Sequence, residues 1–394
     1  MTTDARTNAP GGTEVRPRTR RLLPLAGKLL LVFVSLAFVV LVMETGLRLV
    51  VRFPPPLFRA DPVLGTTFRP DFDDTVFVEE SGRTVRLQFN SLGFRDREWS
   101  VEKPQGTRRI AVIGDSMIAS IATDVDDTLA RRLERLLADD PAGVRHEVMN
   151  FGVSGSSTAQ ELKLYESLVR RYRPDVVVCA FCVWNDLADN DNRLTASGNR
   201  IYFELDEDGV LRELPRSGGK SRASNWLNDH SRLYVWQKHL TAKLKDRTTA
   251  SGGGVPPSKM IFCPEPPERI ERAWRLTEAL LTRFIDAVRE DGGTFVLALM
   301  PSADQVYRER WDALVSQAEK AGIRLEPDAP QRRLAEFCRR RDVGFVPIVD
   351  EFRDFASQGT VGATDEWLHF NASGHFNEAG NRVAAEALAD RLLR

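Results

Sequence analysis

Arg109-Ile110-Ala111-Val112-Ile113-Gly114-Asp115-Ser116-Met117-Ile118 reads as a buried strand that stops in a turn. The apolar run 109–113 has the length and β-branched content of a strand covered on both faces. Gly114 permits the tight turn that follows. A serine just past the carboxyl end of a strand stands where open α/β sheets place their chemistry. Gly-Asp-Ser is also ordinary turn chemistry, so the meaning of Ser116 depends on what else reaches it.

Working outward, strands and helices alternate. A helix is predicted near 126–138, with Leu129, Leu133, Leu136 and Leu137 on one face. A second strand, 146–151, precedes a helix near 158–171, and a third strand, 175–182, runs into Trp184-Asn185-Asp186. Polar residues 191–262, with Ser217-Gly218-Gly219 and Ser251-Gly252-Gly253-Gly254, read as an insertion carrying a weak hairpin near 201–213. The alternation resumes with a helix at 267–289, a strand at 295–300, helices near 304–320 and 329–341, a strand at 343–349, and a last helix from Glu378. This pattern predicts an α/β fold with a parallel sheet covered by helices on both faces.

The N-terminal part is different. Residues 1–21 are rich in Thr, Pro, Gly and Arg and read as a disordered tail. Residues 22–43 contain an uncharged core, 29–43, and reach the roughly 20 residues a transmembrane helix needs. Arg16, Arg18, Arg20 and Arg21 precede it, while Arg48 and Arg52 follow, which favours a cytoplasmic N-terminus with the bulk of the chain outside. The long charged tail and the lack of a small-x-small site argue for a single-pass anchor over a cleaved signal. Residues 44–105 read as a linker and a small β-rich lead-in, with strands at 75–78 and 84–89 around the turn Glu80-Ser81-Gly82. The remainder, 106–394, is expected to be the main domain.

Composition narrows the function classes. With 394 residues and a net charge of −1, the chain carries no field that draws it to nucleic acid. Its four cysteines are too few for a disulfide scaffold, and Cys179-x-x-Cys182 lies in a strand and has no second pair to complete a zinc site. Asp186, Asp189 and Asp191 read as a solvated loop in preference to a cation site. Arg339-Arg340-Arg341 closes a helix where cations suit the dipole. Trp184 and Trp367 flank the site and suit either core packing or stacking on a sugar.

Three strand ends converge in such a sheet: Ser116, the segment Asn150-Phe151-Gly152-Val153-Ser154-Gly155, and Asn185-Asp186. A serine hydroxyl needs a base to become a nucleophile, and acyl transfer needs donors aimed at the developing oxyanion. The backbone amides of Ser116 and Gly152 and the side-chain amide of Asn185 are suited to that task. The base comes from five histidines. His146 heads a strand at the wrong edge, and His230 and His239 lie in the insertion. His375, just ahead of the last helix, is preferred, with His369 the rival.

The succession Gly114-Asp115-Ser116, Gly152, Asn185-Asp186 and His375-x-Asn377-x-x-Gly380 resembles the SGNH hydrolase family, also called GDSL esterases and lipases. The resemblance covers roughly 90–394 and is nearest to bacterial members with one N-terminal membrane helix and an Asn-Ser-Leu-Gly-Phe-Arg segment, here 90–95. It implies a flavodoxin-like three-layer α/β/α sandwich, with Ser116 as nucleophile, Gly152 and Asn185 as oxyanion donors, His375 as base, and neither metal nor cofactor. Two positions depart from the family pattern. Val183 stands where the third block has glycine, and Ala372 and Ser373 stand where an aspartate precedes the histidine. The nearest upstream aspartate is Asp365, so His375 is oriented by Asp365, by a carbonyl, or by nothing charged.

These readings lead to a membrane-anchored extracytoplasmic serine esterase acting on O-acyl esters of glycans, or on lipid esters. An O-acyltransferase on envelope or secreted polysaccharide is the first alternative. A catalytically silent glycan-binding or scaffold protein, motivated by the missing acid, is the second.

Overall fold

In the computed structural model the described residues are 22–50, 56–197, 200–215, 222–249, 255–358, 367–370 and 374–393. They fall into two compact units, Met1–Phe53 with Leu227–Asp246, and Pro54–Trp226 with Arg247–Arg394. The tail 1–21 lies outside the described residues.

Helix α1 (Leu22–Val50) opens the described chain. Its segment Leu25–Val50, mean hydropathy 2.7, is long and apolar enough to cross a bilayer. The helix passes the expected end at 43 because Glu44 and Arg48, one turn apart, pair at 2.8 Å and suit a helical surface.

The larger unit begins with two hairpins. Strands β1 (Phe58–Asp61) and β2 (Gly65–Phe68) pair antiparallel, as do β3 (Asp73–Val78) and β4 (Arg83–Gln88). The first of these hairpins was not foreseen, since Phe58-Arg59-Ala60-Asp61 shows no alternation. Phe68, Phe72, Val76, Val85, Leu87 and Phe89 close a small core beneath the hairpins, and Ala119 of the nucleophile turn belongs to it.

The joint to the main sheet is the segment 90–97. Asn90 Oδ1 accepts the amides of Leu92 (3.1 Å) and Phe94 (3.0 Å), folding the turn on itself. Gly93 adopts φ +86°, and a Cβ there would lie 2.5 Å from the Phe68 carbonyl oxygen. Phe94 then packs edge-on against Phe151 of the main core. Asp96 Oδ2 accepts the amide of Asn150 at 2.8 Å.

The main sheet contains β5 (Thr107–Gly114), β6 (Arg145–Gly152), β7 (Val176–Cys182), β10 (Thr294–Met300) and β11 (Gly344–Pro347) in the order β11-β10-β7-β5-β6, all parallel. Chain order reverses between β5 and its neighbours β6 and β7, so the crevice beyond their carboxyl ends is the topological switch point. Side chains alternate across the sheet. Ala111, Ile113, Met149, Phe151, Val177 and Phe181 face one layer. Ile110, Val112, Val148, Val178 and Val296 face the other.

Between these strands run α2 (Ser116–Ala119), α3 (Leu129–Leu137), α4 (Thr158–Ser167) and α5 (Asp186–Asp189). The insertion carries the antiparallel pair β8 (Phe203–Leu205) and β9 (Leu211–Glu213), then α6 (Arg222–His230) and α7 (Arg232–Thr249). There follow α8 (Glu268–Glu290), α9 (Ala303–Val306), α10 (Arg308–Lys320), α11 (Ala329–Arg341), α12 (Val349–Gln358) and α13 (Glu378–Leu393). Buried residues of α4, α8 and α11 cover one face, and those of α3, α12 and α13 cover the other. The result is the α/β/α sandwich with a small β lead-in. Leu129, Leu133 and Leu137 of α3 are buried as expected, but Leu136 is exposed. An i, i+4, i+8 stripe leaves position 136 rotated off the core face.

Polar composition hid α6 and α7 inside the insertion. In the smaller unit Glu44 of α1 caps α7, accepting the amides of Arg232 (2.9 Å) and Leu233 (3.0 Å). A carboxylate at a helix N-terminus satisfies orphan donors and meets the positive end of the dipole. Arg48 also donates to the His230 carbonyl at 2.6 Å.

Candidate active site

Ser116 begins the one-turn helix α2 straight after β5. Asp115 caps that turn by accepting the Met117 amide at 2.9 Å. Burial pushes the Asp115 carboxyl above the ordinary carboxylate range. The turn ends at Ser120, which sits in the left-handed region at φ 45° and donates its amide to the Ser116 carbonyl. Buried Arg95 binds the carbonyl oxygens of Ser120 and Thr123, so the last residue of Asn-Ser-Leu-Gly-Phe-Arg clamps the turn that presents the serine. Burial lowers the Arg95 guanidinium to about 10.

His375 arrives from the other end of the chain. Backbone hydrogen bonds hold it: Phe370 donates to the His375 carbonyl at 2.7 Å and Gly374 donates to the Phe370 carbonyl at 3.0 Å. Asn377 fixes the exit. Its Oδ1 accepts the Gly380 amide at 2.9 Å, and its side-chain amide donates to the Trp367 carbonyl. A Cβ on Gly380 would stand 2.1 Å from the Leu368 carbonyl oxygen, so only glycine lets α13 start there. Gly374, at φ +79°, lies over Trp184, whose ring is 6.0 Å from the His375 ring. Trp184 therefore shapes the histidine turn, while Trp367 packs on Tyr307 at 4.3 Å.

Among the described residues the imidazole bridges two partners. Its Nε2 is 2.7 Å from Ser116 Oγ, and its Nδ1 is 2.7 Å from Glu80 Oε1. A carboxylate only accepts, so Nδ1 carries the proton and Nε2 is free to accept the serine hydroxyl. Desolvation lowers the His375 value, but the hydrogen bond and charge of Glu80, with a smaller contribution from Asp115, raise it net above the ordinary 6.5. Asp365 lies outside the described residues. Sequence reasoning missed Glu80, because 295 positions separate it from His375 and it reads as turn chemistry.

His369 goes elsewhere. It is buried, with Tyr307 Oη 3.2 Å from Nδ1 and the Pro301 carbonyl 3.3 Å from Nε2. Burial holds it down at about 4. His146 pairs with Asp140 at 2.7 Å, and His230 is exposed on α6.

The expected oxyanion donors divide. Asn185 follows β7 and donates its side-chain amide to Asp189 Oδ2 at 3.2 Å, and the same side chain hydrogen-bonds the buried Asp115 carboxyl. Gly152 is different. Its amide donates to Asn150 Oδ1 at 2.9 Å, which takes up the hydrogen reserved for an oxyanion. What requires glycine at 152 is space, since a Cβ would stand 2.3 Å from the Ala119 nitrogen. Gly155, further along the same loop, has φ +80° and open space beside its Cα.

Nor is the Asp186–Asp191 segment the solvated loop its composition suggested. All three aspartates are buried. Asp186 accepts the Cys182 amide at 2.7 Å, Asp189 pairs with Arg200 at 2.5 Å and Asp191 with Arg272 at 2.8 Å. Among the described residues no group of three metal-binding side chains is assembled. Cys179 and Cys182 are buried and free, and burial drives both thiols well above their ordinary range.

The sequence profile of the GDSL-like lipase/acylhydrolase family matches residues 112–382, a span running from β5 to α13. The chain belongs to the GDSL-like lipase/acylhydrolase family. It is accordingly a carboxylic ester hydrolase of the SGNH type. Among solved structures this GDSL-like hydrolase is similar to TesA, with 14% identity over 73% of this chain and 100% of that one, at a TM-score of 0.36. An acetyl-xylooligosaccharide esterase from Geobacillus stearothermophilus, in a mutant form, gives 13% identity over 72% and 94%, at 0.39. The acetyl xylan esterase AlAXEase gives 10% over 72% and 98%, at 0.37. No curated protein matches the sequence.

Proposed function

We propose that the chain hydrolyses O-acyl esters through an acyl-enzyme on Ser116, with His375 as general base and then general acid. The observation that carries this reading is the 2.7 Å separation of His375 Nε2 and Ser116 Oγ, with the proton-bearing ring nitrogen turned the other way. Ser116 Oγ attacks the ester carbonyl carbon while Nε2 takes its proton. The carbonyl oxygen becomes an oxyanion. Collapse breaks the bond to the alcohol, which leaves with the proton from Nε2. Water then attacks the acyl group, gives its proton to Nε2, and the acid departs as the proton returns to Ser116.

For the oxyanion, the reading uses the Ser116 amide, the first of its helix and outside the helix ladder, together with the side-chain amide of Asn185, which Asp115 and Asp189 hold in place. Gly155 replaces Gly152 as the backbone donor of its loop, since the Gly152 amide is committed to Asn150.

Glycan esters suit the surroundings better than lipid. Gly155 opens onto a cleft of about 270 Å³ lined by Thr66, Ser154, Ser156, Gln160, Ser197 and Arg200, with Phe58 and Leu64 as its apolar members. Four hydroxyls, an amide and a guanidinium beside only two apolar side chains support a sugar over an acyl chain. Helix α1 is read as a single-pass anchor, and the excess of arginines before it over Arg48 and Arg52 after it supports an extracytoplasmic catalytic unit.

A fluorophosphonate probe tests the chemistry. Labelling of the wild type and its loss in Ser116→Ala is the expected result. A folded wild type that neither labels nor cleaves an aryl acetate would refute the esterase reading.

A further inference from the structure

We propose that Glu80, at the tip of the β3–β4 hairpin, is the positioning acid of the Ser116–His375 pair, supplied by the lead-in. The inference rests on the esterase reading of Ser116 and His375 and adds a third member to it.

Geometry comes first. Glu80 Oε1 lies 2.7 Å from His375 Nδ1, the length of a charge-assisted hydrogen bond. The Glu80 side chain is only 15% exposed, whereas its neighbour Glu79 is an exposed residue. Two adjacent glutamates thus differ, and the one turned inward is the one on the imidazole.

The hairpin is also built to hold that carboxylate still. The Gly82 amide returns to the Val78 carbonyl at 3.0 Å, and Gly82 takes φ +64°, closing the turn directly behind Glu80. Arg83, the first residue of β4, then ties the tip to both halves of the site. It donates to the Ala122 carbonyl, in the loop after the nucleophile helix, at 3.4 Å, and it pairs with Glu378, three residues past His375. Below, Val76 and Val85 share a core with Ala119 of the nucleophile turn. Hairpin, nucleophile turn and histidine turn therefore form one packed assembly.

Chemically, a carboxylate on Nδ1 does two things. It fixes the tautomer whose Nε2 accepts the serine proton, and it stabilises the imidazolium formed during attack. Ala372 and Ser373 carry no carboxylate, and Glu80 supplies one through space.

The test uses the full-length protein in detergent, with the variants E80Q, E80D, E79Q and D365N. Two readouts are needed: the pH profile of aryl acetate hydrolysis, and the titration of the His375 ring by NMR. Glu80→Gln is expected to lower kcat about 10²–10⁴-fold with little change in KM. Its acid limb and its His375 titration should both move to lower pH. Glu80→Asp should keep the wild-type titration with an intermediate rate, and Glu79→Gln should match the wild type. Wild-type kinetics and an unmoved His375 titration in Glu80→Gln would overturn the proposal, as would a comparable loss in Asp365→Asn alone. The titration decides Glu80 even if no ester is turned over, so failure of this proposal is separable from failure of the esterase reading.

Discussion

Tyr307 Oη stands 3.2 Å from His369 Nδ1 and also accepts the Leu368 amide at 2.7 Å. With His369 Nε2 directed at the Pro301 carbonyl, both ring nitrogens are spent inside the fold. Phe352 and Phe376 pack edge-on against the same ring, at 5.6 and 5.2 Å. Held down at about 4 by burial, this imidazole stays neutral near pH 7 and serves as a structural link. The two histidines of the C-terminal segment, which look alike in sequence, therefore carry different work.

That difference is measurable. His369→Ala leaves a cavity and two unmatched polar partners, and should cost about 2–4 kcal/mol of stability. Activity per folded molecule should stay within about threefold of wild type, the small perturbation left once the unfolded fraction is removed. His375→Ala should do the reverse, with a denaturation midpoint close to wild type and turnover lost. Urea midpoints and fluorophosphonate titration of active sites check both, and the opposite ranking would reassign the base.

Gly152 gives a second prediction. Its missing Cβ makes room for the backbone of Ile118 and Ala119, at 2.6 and 2.3 Å, and backbone cannot swing aside. Gly152→Ala should therefore destabilise the protein by about 1–3 kcal/mol and displace the nucleophile turn. A variant of wild-type stability whose only defect is in kcat would show instead that the Gly152 amide serves the oxyanion.

Asn185 should behave as a donor. Its amide is oriented by Asp189, which is itself held by Arg200. Asn185→Ala is expected to lower kcat about 10²–10³-fold with KM little changed, as for loss of one oxyanion donor. Arg200→Met, which frees Asp189 without touching the amide, should give a smaller loss. Equal losses in the two variants would mean that the network and not the donor carries the effect.

The sheet was legible because its strands announce themselves. Runs such as Val176-Val177-Val178-Cys179-Ala180-Phe181-Cys182 are apolar on both faces, as a covered parallel strand must be. Short motifs pointed to Ser116 and Asn185 at strand ends, and to His375 just ahead of α13, because each is bound to local backbone geometry. Three things were not legible. Glu80 acts across 295 positions, and no local pattern encodes that. The Gly152 amide is committed by Asn150, two residues earlier, which spacing alone does not show. The aspartates after β7 look solvated by composition, and arginines far along the chain, such as Arg272, bury them.

Beneath the nucleophile lies a further consequence of burial. Glu161 of α4 is buried, accepts only the weak Cys179 thiol donor at 3.6 Å, and has its Oε1 without a partner among the described residues. Burial first, and the Asp115 charge second, push its carboxyl up to about 8 from an ordinary 4.5. A folded-state value above the unfolded one means that the folded protein holds a proton the unfolded chain has released. Stability therefore falls as pH rises from 4.5 through about 8, and levels off beyond. Glu161→Gln removes this slope while keeping the shape. Its stability relative to wild type should be lowest near pH 4 and should climb steadily toward pH 8, whatever constant offset the buried amide adds. Urea midpoints of the two proteins across that range provide the check. Parallel curves would mean that Glu161 finds solvent or a cation in solution and ionises at its ordinary value.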